Sequence, residues 1–270
     1  MRKLLTATWI GVARRPGVRV LCASPAALRD TDASRDRLAW LELLVFSGLM
    51  GAMLCAVHGA AWKLLGETAG MLLLPGLVTG AFMVAGPYRR AIGSVSRLLS
   101  PRDAAGRGVV SAAVVTTLCI GIAALEPDFY WWGGQWPNWL GALGPHPAKV
   151  YRILPLLPAW GAWAMLVTVQ FCRPDDGTEP AVVAFARGCG PFAVAGGMAV
   201  LMAVTIQMLG FLPWCQLAVS AVGVLGAIVL GLLACFAGGG LRQRTLLAAN
   251  VGTQIAVLLA YIAVRNLVAR

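Results

Sequence analysis

Between residues 38 and 264 the chain is a succession of long apolar runs separated by short polar or basic segments. A run of about 20 apolar residues matches the ~30 Å hydrocarbon core of a bilayer when it is helical. About seven runs qualify: 38–62, 69–88, 108–125, 150–172, 190–210, 211–236 and 245–264. The expected fold is therefore all-α, a polytopic membrane helix bundle over residues 38–270 with about seven transmembrane helices. Composition agrees: 59% of residues are apolar and only 12% charged, against about 25% charged in soluble domains. Small residues inside the runs, as in "GLMGAML" and "VGVLGAIVLG", allow helices to approach closely in lipid. Pro213 supports a tight turn between the fifth and sixth runs rather than one continuous helix.

The formal net charge is +11. In a soluble protein that would suggest nucleic acid. Here no basic groove or stacking platform can form outside the membrane runs, so nucleic acid is excluded as a partner. The lysines and arginines alternate instead. The segment 1–37 carries Arg2, Lys3, Arg14, Arg15, Arg19, Arg29, Arg35 and Arg37, and the second loop carries Arg89, Arg90, Arg97, Arg102 and Arg107. The fourth loop has Arg173 and Arg187 and the sixth has Arg242 and Arg244, while the odd-numbered loops hold almost none. The positive-inside rule then places the N-terminus and the even-numbered loops in the cytoplasm, next to anionic headgroups, and the C-terminus outside. Residues 1–37 read as a basic cytoplasmic segment. Its start, "MRKLLTATWIGVARR", is a retained amphipathic helix rather than a cleaved signal, because its apolar part is short and no clean cleavage site follows. The third loop, "EPDFYWWGGQWPNWLGALGPHPAK", reads as an aromatic anchor at the outer interface.

Conventional chemistry is scarce. The seven cysteines are scattered without a C-x-x-C pair, which argues against a disulfide framework or a zinc site. His58 sits in an apolar run beside Gly59 and reads as a core histidine, far from His146. Glu42 lies near the cytoplasmic end of the first run, within reach of Arg35 or Arg37. "CRPDDGTEP" places Asp175, Asp176 and Glu179 in the fourth loop. Its Pro-Asp-Asp-Gly core reads first as a solvated turn, although Asp175 and Asp176 could offer oxygen ligands to a divalent cation. The stretch "TGAFMVAGPYRRAIGS" (79–94) has well-spaced glycines and ends in the pair Arg89–Arg90, with no acid, His or Cys.

Several segments resemble, in order, those of the cobalamin synthase family. These integral membrane enzymes of the bacterial inner membrane join a ribazole to adenosylcobinamide-GDP and release GMP. "LLTATWIGVARRPGV" and "FSGLMGAMLCAVHGAAWKLLG" are similar to the family's opening and first Gly-rich span. "TGAFMVAGPYRRAIGS" is similar to its GGFHLDGLADTxDG motif, with Gly80, Phe82, Gly86 and Gly93 keeping the frame. The motif's His then falls on Met83 and its acids on Ala85, Arg89 and Ile92. "FCRPDDGTEPAVVAF" resembles the YAREEGLGxxF segment through Arg173 and Gly177, with "LPAWGAW" where a Ser-Arg pair is expected. "CFAGGGLRQRTLLAANVGTQIAVLLAYI" resembles GGxTGDxLGAxxELGE. There the acid falls on Arg244, the Thr on Arg242, the Gly on Gln243, and two glutamates on Val251 and Gln254. "SPRDAAGRG" resembles a shortened Arg-Asp-Ser segment, with Arg102 and Asp103 as remnants.

The resemblance implies a ribazoletransferase with Mg²⁺ as cofactor. The residues at its ligand positions imply that the magnesium site is lost and catalysis impaired. Catalytic residues are therefore not assigned. Candidate residual acids are Asp103, Asp175 and Asp176, and candidate phosphate contacts are Arg89, Arg90, Arg173, Arg242 and Arg244. If the two arginine loops met, their cations would repel Mg²⁺ yet bind phosphate without it. The alternatives are a divergent active synthase drawing on Asp103, Asp175, Asp176 and Glu179, or a membrane scaffold or transporter with Thr116, Thr117, Gln207 and Asn250 as its few polar groups. Expected partners are the anionic lipid bilayer, other membrane proteins and a phosphate-bearing ligand.

Overall fold

The computed structural model of the chain describes residues 20–21, 38–67, 73–85, 88–100, 102–125, 152–209 and 213–268. The amphipathic start, Arg35 and Arg37, the aromatic third loop with His146, and Gly86 lie outside the described residues. The described residues form nine α-helices: α1 Ala39–Ala61, α2 Leu74–Ala85, α3 Arg89–Leu99, α4 Ala104–Ala123, α5 Leu156–Phe171, α6 Pro180–Gly188, α7 Pro191–Leu209, α8 Pro213–Gly238 and α9 Gln243–Val268. Trp62–Glu67 continues α1 as a π-helical turn. Helices α6, α7 and α8 each begin at a proline, the one helical position where its missing N–H costs nothing.

Five helices are long and apolar enough to cross a membrane: Ala39–Leu65, Ala104–Ala123, Pro191–Leu209, Pro213–Gly238 and Gln243–Arg265. The chain is a helical membrane protein. The other two expected runs are shorter helices, Leu74–Ala85 and Leu156–Phe171. The run expected over 69–88 is the larger departure. Its helix stops at Ala85, and Arg89, Arg90 and Arg97, expected in a loop, lie on the separate helix α3. Tyr88 is buried and its N–H donates to Met83 O at 3.2 Å, which holds the start of α3 against the foot of α2.

Helix α5 is the hub. Thirteen of its 16 residues are buried, and it packs against α1, α7, α8 and α9. A helix surrounded by neighbours has no polar face to show, so its sequence is apolar except for Thr168 and Gln170 near its end. Two of its polar side chains are met by neighbours, whereas the buried Trp160 Nε1 has no hydrogen-bond partner among the described residues. Trp163 Nε1 donates to Val194 O at 3.0 Å, and Gln170 Nε2 donates to Cys189 O at 2.6 Å. From α9, Gln254 Nε2 donates to Asn250 Oδ1 at 2.6 Å, and Asn250 Nδ2 lies 3.4 Å from Met165 Sδ. Asn250 therefore belongs to the helix packing. His58 is buried, as expected of an apolar-run residue, and Cys189, which lies between two runs, is buried as well. Burial pushes the Cys189 thiol above its ordinary range.

Helices α2 and α4 meet at glycines. A Cβ on Gly76 would strike the Ala123 backbone, and one on Gly80 would lie 2.7 Å from Cys119 Cα. Helix α3 packs on α9 and α4, and Leu98 reaches the Gly238 turn. At the same end of the bundle lie the α5–α6 connection and the α8–α9 turn, bonded to each other through Thr178 and Leu241 O. The start of α7 packs there against the start of α1, Gly196 against Trp40. One cysteine expectation is corrected: Cys172 and Cys235, 63 residues apart in sequence, are paired in a disulfide. Their helices α5 and α8 are packed neighbours ending at the same level, a proximity that sequence spacing does not show.

Candidate functional site

The α8–α9 turn is built by three consecutive glycines. Gly239 and Gly240 have φ of 66° and 113°, a region open to glycine and strained for other residues. The Gly240 N–H donates to Cys235 O at 3.1 Å, closing the end of α8 as such helix ends commonly do. Arg244 Nη2 donates to Gly238 O at 2.8 Å, and Thr245 Oγ1 to Gly240 O at 3.0 Å. The turn therefore fixes where Arg242 and Arg244 stand.

The fourth loop is clasped against it. The Thr178 hydroxyl accepts from the Asp175 N–H at 2.9 Å and shares its proton between Leu241 O at 2.9 Å and Asp175 Oδ1 at 3.0 Å. The Gly177 N–H donates to Asp175 Oδ1 at 2.9 Å, the Asx turn that the Pro-Asp-Asp-Gly spelling indicates. Glu179 Oε2 accepts from the Gln243 N–H at 3.2 Å, placing a carboxylate at the positive end of α9. Gln243 Nε2 donates to Val20 O at 3.0 Å, which brings Val20 and Leu21 to the same place.

Between these elements and α3 lies a cavity of about 1360 Å³. Arg89, Arg90, Gly93, Ser94 and Arg97 line it from α3, Arg242, Gln243, Arg244 and Leu247 from α9 and its turn, and 176–180 from the fourth loop; Leu21 and Ala85 complete it. The two arginine loops thus meet. Among the described residues the lining has five guanidiniums against two carboxylates, Asp176 and Glu179. The Nε atoms of Arg242 and Arg244 are buried without a hydrogen-bond partner among the described residues.

The structure sorts the candidates. Arg89, Arg90, Arg242, Arg244 and Asp176 line the cavity, whereas Arg173 is exposed and does not. Asp175 stands behind the wall, in its turn and 3.9 Å from Arg242 Nη2. Asp103 is elsewhere: it caps α4, accepting from the Ala105 and Gly106 N–H groups at 3.0 and 2.6 Å. Asp103→Ala should therefore lower stability by about 1 kcal/mol and leave ligand affinity unchanged, checked by thermal unfolding and titration of the same sample. Of the four positions in 79–94 where the resemblance places lost ligands, Ala85 and Arg89 line the cavity, while Met83 and Ile92 are buried in the core. Val251 and Gln254 are likewise buried within α9, away from it.

Arg97 and Ser94 were not singled out by sequence. Arg90, Ser94 and Arg97 follow helical spacing, with Ile92 buried on the opposite side, and that pattern is the signal that could have found them. Among the described residues no group of three or more His, Cys, Asp or Glu could hold a metal ion. No protein-family model, curated protein or solved structure matches the chain.

Proposed function

We propose that the chain is a membrane protein similar to cobalamin synthases in which metal-dependent ribazole transfer has been lost, and that its arginine cavity binds a phosphate-bearing ligand without a metal. One observation carries this reading: arginines from α3 and from the α8–α9 turn share one cavity. Guanidinium forks match phosphate oxygens two at a time, and they stay charged at any physiological pH. A magnesium ion there would face the opposite field. At roughly 8 Å and an effective dielectric near 20, each arginine opposes a unit positive charge by about 2 kcal/mol before salt screening.

The acids do not offset this. Asp103 is a helix cap, Asp175 is engaged in its turn, and Glu179 accepts from the start of α9. Among the described residues, only Asp176 lines the cavity without such a task. A divergent active synthase would need these four carboxylates to converge. The end of the bundle that holds the cavity also holds Arg102, Arg107, Arg173 and Arg187, which supports a cytoplasmic position for it in a bacterial inner membrane. Seven crossings follow if α2 with α3, and α5, complete the bundle.

Incubated with adenosylcobinamide-GDP, ribazole and Mg²⁺, the purified protein should form no cobalamin product. Turnover that disappears when Asp175→Ala and Asp176→Ala are combined would overturn the reading.

A further inference from the structure

We propose that the Cys172–Cys235 disulfide is a reversible latch: oxidised, it holds the fourth loop and the α8–α9 turn together at the arginine cavity, and a cytoplasmic dithiol reductant releases them. Its effect on ligand affinity rests on the anion-binding reading above, whereas its effect on the loop and the turn does not.

Placement is the first observation. Cys172 closes the end of α5, and Cys235 stands just before the end of α8 at Gly238. From Cys172 the chain runs straight into the fourth loop, whose Asp176 lines the cavity. From Cys235 it runs into the glycine turn, where the Gly240 N–H donates to Cys235 O at 3.1 Å. Arg242 and Arg244 of the lining follow directly. The disulfide, the one cross-link among the described residues, therefore joins the roots of two segments that both wall the cavity.

The second observation is how these segments touch beyond the disulfide. Thr178 Oγ1 donates to Leu241 O at 2.9 Å, and Glu179 Oε2 accepts from the Gln243 N–H at 3.2 Å. Arg242 Nη2 lies 3.9 Å from Asp175 Oδ2. An exposed ion pair of that length contributes little, and each hydrogen bond adds only modestly because water can replace it. The loop is open to such competition: Arg173 to Gly177 are all exposed. A cross-link acts differently, since it removes chain freedom that its release restores. The covalent tie is thus the one whose loss would loosen the loop and the turn together.

Compartment and access are the third. The cytoplasmic position proposed above puts the pair where thiols are kept reduced, and disulfides formed there are usually transient or redox-sensing. Cys172 is 1% exposed and Cys235 is part-exposed, so Cys235 is the sulfur within reach. A thiolate of the reductant attacks Cys235 Sγ, the S–S bond breaks, and Cys172 Sγ leaves with the electron pair and takes a proton. The reductant's second thiol loses its proton, attacks the mixed disulfide and expels Cys235, which is protonated in turn. Two electrons have passed to the protein, and the dithiol ends as a disulfide. Release loosens the turn that positions Arg242, so an anion must order that side chain again, weakening its binding roughly three- to tenfold.

The test uses the full-length protein in phosphatidylcholine nanodiscs with EDTA, equilibrated in dithiothreitol mixtures from fully oxidised to the poise of the cytosol. Alkylation and mass spectrometry read the pairing of Cys172 with Cys235, amide hydrogen exchange reads 173–179 and 239–245, and titration reads inorganic pyrophosphate. Pairing is expected at the oxidising end and its loss at the cytosolic poise. Exchange should then quicken in both segments and not in the middle of α5, and pyrophosphate should bind more weakly by the factor above. Cys172→Ser with Cys235→Ser should behave as the reduced protein does and ignore the dithiol; the reduced wild type carries the same measurement if that variant fails to fold. A pair that never forms, or one that survives the cytosolic poise, would overturn the latch. Exchange that is unchanged on reduction, or raised equally along the whole chain, would overturn it as well. Equal pyrophosphate affinity in the two states would overturn the coupling to the cavity. Quickened exchange in both segments with no pyrophosphate bound in either state would overturn the anion-binding reading and leave the latch standing.

Discussion

Arg89→Gln and Arg242→Gln should each weaken the binding of inorganic pyrophosphate by about 10- to 100-fold, as expected for losing one or two charge-assisted hydrogen bonds to phosphate. Arg89 stands on α3 and Arg242 just before α9, far apart in sequence, and both line the same cavity. Isothermal titration of each single variant and of the double variant checks this. If the two arginines served separate sites, each single variant would retain one full-strength isotherm. Arg242 is the cleaner choice on the α9 side because its ion pair with Asp175 is long, 3.9 Å, with side chains 34% and 44% exposed. Such a pair is worth about 0–1 kcal/mol, so its loss should leave the fold in place. Arg244 is a poorer probe, since its Nη2 also holds the Gly238 carbonyl of the turn.

The second large effect is on the fold. Gly76→Val should destabilise the protein by about 3 kcal/mol or more, at the upper end of overpacking costs. The Cβ would meet the Ala123 backbone, which cannot swing aside as a flexible side chain could. Helices α2 and α4 would have to separate, and Ala85 and the start of α3 would move with α2. Loss of folded yield and of pyrophosphate binding should therefore come together. Gly48→Ala is the matched control: it is exposed on α1 with nothing within 4 Å of the added Cβ. It should be neutral, or stabilising by up to about 1 kcal/mol from helix propensity. Size-exclusion profiles and thermal melts in detergent separate the two outcomes.

The helical membrane class was legible because long apolar runs have few alternatives. The grouping of Arg89 and Arg90 with Arg242 and Arg244 was readable only as a possibility. It depends on α3 packing against α9, a contact that no local pattern encodes. The interruption after Ala85 carried a sequence signal in Gly86–Pro87, since a residue before proline is biased away from helix. That signal fits the end of a membrane helix equally well, so the run over 69–88 read as one crossing. Asp103 shows the opposite failure. An acid ahead of "AAGRG" is an N-cap by its spelling, yet its place in the segment order that the resemblance implies made it a candidate residual acid. The tie between Cys172 and Cys235 arises from two helices ending at one level, information that is wholly tertiary.

We propose that the cavity binds phosphate oxygens with arginine in place of metal. Titration of the protein with inorganic pyrophosphate in excess EDTA tests it most directly. Saturable one-site binding is expected under EDTA, weakened when Mg²⁺ is added because the cation competes for the same oxygens. Binding that appears only once Mg²⁺ is supplied would contradict the account.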